Sequence, residues 1–152
     1  MAEEVSRDQV LAAVPQQAPF RFIDEILELD EEHIVAACRF RADADFYRGH
    51  FPGRPVTPGV LLVEAMAQAG VVALGIYLLA RQSSLDDARR CLTVFTDASV
   101  EFSGVVGPGE RVLIRGRKLF FRRLKLRSAI EMLREDGTLV CSGTLSGMGI
   151  AR

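Results

Sequence analysis

The chain has 152 residues, of which 49% are hydrophobic and 26% charged, and it carries a formal net charge of −1. This composition excludes a disordered chain, and the length suits one domain, over residues 1–152, that buries most of its apolar surface. The near-neutral charge gives no dense positive field, so no nucleic-acid partner is expected and any charge-driven contact must use a local patch.

In chain order, the stretch MAEEVSRDQV is acidic and polar, unlike a secretory signal, and predicts a cytoplasmic protein. Ser6 with Gln9 three positions on forms a capping-box pattern that opens a short helix, and Pro15 stops it. FRFIDEILEL (20–29) and HIVAACRFRA (33–42) have the β-branched and aromatic character of strands, joined by the acidic turn DEE as a hairpin. Three glycines and three prolines then crowd the twelve positions from Arg48 to Gly59, which holds a backbone shape that ordinary residues would not adopt. A long apolar helix follows, with Thr57 as N-cap and Pro58 in its first position, where a missing N–H costs nothing. Four more strands are predicted in CLTVFTDASVEF (91–102), ERVLIRGRKLFF (110–121), LKLRSAIEML (124–133) and TLVCSGTLSGM (138–148). The cysteines Cys38, Cys91 and Cys141 are odd in number and widely spaced, with neither metal-ligand spacing nor a disulfide framework. They read as core or near-core thiols in a reducing compartment.

The long helix decides the expected architecture. From Val60 to Ala80 its only strongly polar side chains are Glu64 and Gln68, so it must be buried on most sides. About 20 apolar residues suffice to cross a bilayer. An ionised glutamate near mid-membrane would cost about 2.5 kcal/mol or more, however, and six half-polar strands supply another wrapper. The expected fold class is α+β, an antiparallel sheet curled around one central helix, with no membrane partner.

The stretch GHFPGRPVTPGVLLVEAMAQ (49–68) resembles, almost position for position, the signature of the 3-hydroxyacyl-acyl-carrier-protein dehydratases. PQQAPFRFIDEI upstream and VGPGERV downstream extend the resemblance more weakly, so that it runs from about Pro15 to the last strand. It implies the hotdog fold and, as activity, dehydration of 3-hydroxyacyl thioesters on acyl carrier protein. It further implies a two-fold homodimer that sets the histidine of one chain against the acid of the other, often within a trimer of dimers. Glu64, rather than Asp, matches the plain dehydratases and not the dehydratase-isomerases. Where the family usually has His-Arg-Tyr before the Pro-Phe pair, this chain has Gln17 and Ala18 in PQQAPF, and Ser103 and Gly104 stand where basic residues are common, which leaves acyl chain length, carrier and pathway open.

Removing water from such a thioester needs a base for the C2 proton, an acid for the C3 hydroxyl, and donors for the thioester oxygen. His50 is the candidate base, since its ordinary pKa lies near neutrality, and Glu64 is the candidate acid, provided burial keeps it protonated. The free N–H groups of Gly59 and Val60 in the first helical turn are candidates for the oxygen donors. Gln68, four positions after Glu64 on the same helical face, is placed to orient the carboxyl group. Phe46, Phe51, Phe95, Phe102, Phe120 and Phe121 are expected in the core, with Phe51, which adjoins His50, and Pro58 also candidates for the substrate pocket. His33, in the hairpin turn, is expected to be solvated. Seven basic residues lie between Arg115 and Arg127, either as a solvated strand face or as a dock for an acidic carrier protein through Arg122, Arg123 and Lys125. The chemistry asks for no metal and no organic cofactor. The alternatives are a hotdog thioesterase and a non-catalytic acyl-binding subunit.

Overall fold

Ser6 caps the first helix as its spacing predicts. Its hydroxyl accepts from the Gln9 N–H at 3.1 Å, and the Gln9 side chain accepts from the Ser6 N–H at 2.9 Å. The computed structural model describes residues 4–152, so the first three positions of the acidic N-terminal stretch lie outside the described residues. Helix α1 spans Arg7–Ala13 and ends ahead of Pro15. Strands β1 (Ile23–Leu29) and β2 (His33–Arg39) form the predicted hairpin. Its turn is closed by the Asp30 carboxylate, which accepts from the N–H groups of Glu32 and His33 at 2.8 Å each. Strands β3 (Cys91–Phe102), β4 (Arg111–Arg122), β5 (Lys125–Arg134) and β6 (Leu139–Ala151) complete one antiparallel sheet in the order β1-β2-β4-β5-β6-β3. Two short helices, α2 (Phe46–Gly49) and α5 (Leu85–Arg89), were not legible in the pattern of apolar residues.

The central helix runs unbroken from Gly59 to Gln82 as α3 (Gly59–Ala67), a π-helical turn (Gln68–Ala73) and α4 (Leu74–Gln82). By length and composition it could cross a membrane, yet 67% of its most apolar window is buried inside the protein. The sheet is its wrapper, with the π turn packed against β2, β4, β5 and β6. Leu62, Met66 and Leu74 are fully enclosed, and each such side chain contributes about 1.5–3 kcal/mol. Backbones come close at the π turn, where a Cβ on Gly116 would stand 3.0 Å from the Gly70 Cα and one on Gly70 would strike Ile130. The Ser128 hydroxyl donates to the Gly70 carbonyl at 2.7 Å, tying the widened turn to β5.

Two expectations need correction. Pro58, not Thr57, is the N-cap, and Gly59 is the first helical residue. Thr57 is engaged elsewhere, its hydroxyl hydrogen-bonded to that of Tyr47 at 2.6 Å and its N–H donated to the Val106 carbonyl at 2.9 Å. The phenylalanines also divide differently. Phe46 and Phe121 pack on the core, but Phe51, Phe95 and Phe102 are about half exposed, at 52%, 48% and 51%. The last two lie on β3, an edge strand, which pairs with β6 on one side and has no strand beside it on the other. Cys38 and Cys141 are buried and Cys91 is partly so, all three as free thiols.

Candidate active site

His50 sits at the end of α2, where its own backbone is fixed from both sides. Its N–H donates to the Phe46 carbonyl at 3.0 Å, and its carbonyl accepts from the Val56 N–H at 2.9 Å. Between them Phe51 and Arg54 exchange two backbone bonds, of 3.1 and 2.9 Å, around Gly53, whose φ of +74° suits glycine. The proline-rich loop is thus a closed turn that aims one ring. His50 Nδ1 lies 2.8 Å from the Val56 carbonyl oxygen, which can only accept, so Nδ1 carries the hydrogen and the neutral ring offers a lone pair at Nε2. Phe51 stacks on this ring, with centroids 4.0 Å apart.

Glu64 lies on α3, half-buried. Loss of solvent pushes its carboxyl above the ordinary value, and a hydrogen bond from Gln68 works in the opposite sense. Gln68 is wholly buried, and both ends of its amide are hydrogen-bonded. Its amide nitrogen donates to Glu64 Oε1 at 3.0 Å and to the Phe20 carbonyl at 2.8 Å, while its oxygen accepts from the Phe22 N–H at 2.9 Å. Gln68 therefore joins the acid to the strand-entry segment as well as orienting it. Gly59 and Val60 begin α3, and their N–H groups have no acceptor among the described residues. A Cβ on Gly59 would press to 3.3 Å from the Phe102 ring, and the Val60 side chain is 77% exposed.

Glu64 lines a cavity of about 40 Å³ with Gln16, Ala67, Thr93, Val94 and Phe95. A second apolar cavity of about 30 Å³ shares Val71, Val72, Thr93 and Gly147 with the first, and reaches Phe121 and Leu124 near the β4–β5 turn. Neither wall includes His50, Phe51 or Pro58, so a single chain does not bring the histidine to the acid's cavity. Gln16, Thr93 and Phe95 were missed as wall residues. The only available signal was the unusual PQQAPF entry segment. A wider hollow of about 520 Å³ on the outer sheet face is walled by charged and polar groups such as Arg115, Arg117 and Glu131, and contains none of the candidate residues.

Six of the seven basic residues separate into two sets. Arg115, Lys118 and Arg127 pair with Glu131, Glu32 and Asp97 along the sheet. Arg122, Arg123 and Lys125 stand at the β4–β5 tip with no carboxylate partner among the described residues, and Arg122 lies over the Phe120 ring at 5.2 Å. Arg123 and Leu124 form the two-residue turn with φ of 51° and 64°, a conformation that normally selects glycine or asparagine. His33, as expected, stays on the surface, bonded to Glu28 and Asp30, and these acids raise its pKa.

One antiparallel sheet curled on one long central helix defines the hotdog class of folds. Solved structures agree: a dehydratase heterocomplex, ApeI:P, from Xenorhabdus doucetiae matches with a TM-score of 0.71 at 16% identity, over 99% of this chain and 94% of that one. A thioesterase from Haemophilus influenzae matches with a TM-score of 0.68 at 18% identity, over 99% of this chain and 94% of that one. Within that class the FabA-like domain model covers residues 14–145, and the chain belongs to this family, that of the 3-hydroxyacyl-acyl-carrier-protein dehydratases. It is 34% identical over 141 residues to the 3-hydroxyacyl-[acyl-carrier-protein] dehydratase FabZ of Streptococcus pyogenes serotype M3, which covers 91% of this chain and 94% of that protein.

Proposed function

We propose that this protein, as a single hotdog domain over residues 1–152, dehydrates (3R)-3-hydroxyacyl thioesters on acyl carrier protein to trans-2-enoyl thioesters. The setting is the cytoplasmic synthesis of fatty acids or of related polyketide or polyene chains. The observation that carries this reading is the setting of the two groups: Nδ1 of His50 donates to a carbonyl, which fixes the tautomer in which Nε2 is the acceptor, while burial raises the Glu64 pKa towards its protonated form. Nε2 takes the C2 proton. Glu64 delivers its proton to the C3 hydroxyl, the C3–O bond breaks, and water leaves as the C2–C3 double bond forms. The N–H groups of Gly59 and Val60 receive the thioester oxygen as negative charge develops on it. No metal or organic cofactor enters these steps. The two neighbouring cavities, which share Val71, Val72, Thr93 and Gly147 as walls, would open into an apolar path for the acyl tail leading away from Glu64.

The site is completed by a second copy. β3 is a twelve-residue edge strand that exposes Val94 and Phe95 beside the Glu64 cavity, the kind of edge and apolar patch that a partner covers. A two-fold pairing there would carry the partner's loop to this acid, and three such dimers would make a hexamer. The unpaired basic tip, Arg122, Arg123 and Lys125, suits an acidic carrier protein, and Phe51 and Pro58 then border the mouth.

Incubation with 3-hydroxyacyl and 2-enoyl thioesters, following enoyl absorbance and free thiol together, tests the reaction. Reversible enoyl formation without thiol supports dehydration. Thiol release identifies a thioesterase, and neither signal identifies a binding subunit. Co-expression of His50→Ala with Glu64→Ala chains tests the shared site. With random pairing half the dimers are mixed and one of their two sites is whole, so about a quarter of activity returns. Mixed dimers that remain inactive would place the whole pocket in one chain.

A further inference from the structure

Tyr47 and Thr57 are both buried, and their hydroxyls, 2.6 Å apart, have only each other as hydrogen-bond partners among the described residues. Two buried hydroxyls that satisfy one another add little net stability, because an apolar pair of the same shape packs at nearly the same free energy. What such a pair adds over an apolar contact is direction. Tyr47 belongs to α2, three residues before His50, and Thr57 follows Val56, whose carbonyl receives Nδ1 of His50 at 2.8 Å. The bond therefore ties together the two ends of the loop that carries the histidine. The Val56 carbonyl and the Thr57 N–H also belong to one planar peptide group, so the direction of one fixes the direction of the other. That N–H donates to the carbonyl of fully enclosed Val106 at 2.9 Å. The segment around Val106 is itself braced, since Arg134 donates to the Val105 carbonyl and, at 2.9 Å, to the Glu110 carboxylate, which accepts from the Gly107 N–H at 3.0 Å.

We propose that Tyr47 and Thr57 are positioning residues for the base: their shared hydrogen bond holds the Val56–Thr57 peptide plane so that its carbonyl keeps the hydrogen on Nδ1 of His50 and leaves Nε2 aimed at the C2 proton. This deepens the dehydratase reading and rests on it. The pair acts only through Val56, and neither hydroxyl gains or loses a proton in the reaction. Without the bond, Thr57 is held to α2 by packing alone, and the peptide plane can swing about the Val106 contact. The imidazole then loses its fixed acceptor, and with it both its direction and the preference for one tautomer.

The test separates positioning from stability. Tyr47→Phe and Thr57→Val each leave one buried hydroxyl unpaired and should lower the melting temperature, whereas the double variant, which has neither hydroxyl, should return to within about 2 °C of the parent. Turnover should not return with it: in the double variant kcat for 3-hydroxybutyryl pantetheine should stay about 3- to 10-fold below the parent, the factor set by one neutral hydrogen bond, with KM unchanged. Thr57→Ser, which keeps the hydroxyl, should rescue most of that loss. The ring can be watched directly, because the chain has two histidines and a His33→Gln background leaves His50 as the only imidazole signal in a nitrogen-15 spectrum. At alkaline pH, where imidazole is neutral, the parent should show one tautomer with the hydrogen on Nδ1, and the double variant should lose part of that signal to the other tautomer. A ring spectrum unmoved in the double variant overturns the proposal, as does kcat that recovers together with the melting temperature, or Thr57→Ser as slow as Thr57→Val. A parent that forms no enoyl product would remove the dehydratase reading, and the ring spectra, which need no turnover, would still decide whether the pair sets the imidazole.

Discussion

Replacing Gln68 by leucine removes three hydrogen bonds from the centre of the molecule while preserving helix propensity and volume. The largest loss is at the Phe22 N–H, which becomes a buried orphan donor and costs about 1–3 kcal/mol. The Phe20 carbonyl is nearer the surface and finds water, and the Glu64 bond is half solvated, so together these add about 1 kcal/mol. The expected loss is therefore about 2–4 kcal/mol. For a domain of about 150 residues, that lowers the melting temperature by roughly 5–15 °C. Thermal and urea unfolding followed by circular dichroism would measure it. The variant also carries a kinetic signature: the bond from Gln68 lowers the pKa of Glu64, so its removal should shift the alkaline limb of the kcat profile to higher pH. A melting temperature within about 2 °C of the parent, with an unmoved alkaline limb, would refute the anchoring role.

Glu64→Gln should lower kcat by about 100-fold or more, and it should also change how stability depends on pH. Burial raises the Glu64 pKa above its ordinary 4.5, so the stability supplied by the protonated form is full below that value and is lost as pH rises through the folded one. The glutamine variant should accordingly match the parent at about pH 4 and exceed it at about pH 8 in urea unfolding, whereas an equal gap at both would remove the burial argument. Gly59→Val should disable turnover with His50 and Glu64 intact, since even a Cβ there crowds the Phe102 ring and a branched side chain obstructs the free amides; retained activity would put the oxygen donors elsewhere. Arg122→Glu with Arg123→Glu should raise KM for carrier-protein substrates in a salt-dependent manner and leave pantetheine substrates unaffected, and equal effects on both would return the tip to a solvated role. Arg123→Gly alone should gain about 1 kcal/mol by relieving the positive φ while weakening carrier affinity; a loss of stability would show that this turn carries no strain.

Much of this protein is determined by the sequence alone. The capping box at Ser6, the strand runs and the glycine and proline loop act through neighbours only a few positions apart, so their residues specify local structure directly. The near-absence of polar residues between Val60 and Ala80 required a wrapped helix, and six strands permitted one wrapper. His50 and Glu64 stand out as candidates in the sequence because their setting is a gapless motif. What only the tertiary structure decided depends on contacts between distant positions. Thr57 forgoes the helix cap because Tyr47 and Val106 reach it first. The π turn at Gln68–Ala73 carries no periodic signature, since it lies where Gly70 meets Gly116 and Ser128 across the core. Phe95 and Phe102 read as core by hydrophobicity, yet strand order puts β3 at the sheet edge and leaves them half exposed. Gln16 shows the same limit: nothing in PQQAPF reveals that one amide oxygen will be enclosed without a partner, because satisfaction of a buried polar atom is a property of the whole packed neighbourhood.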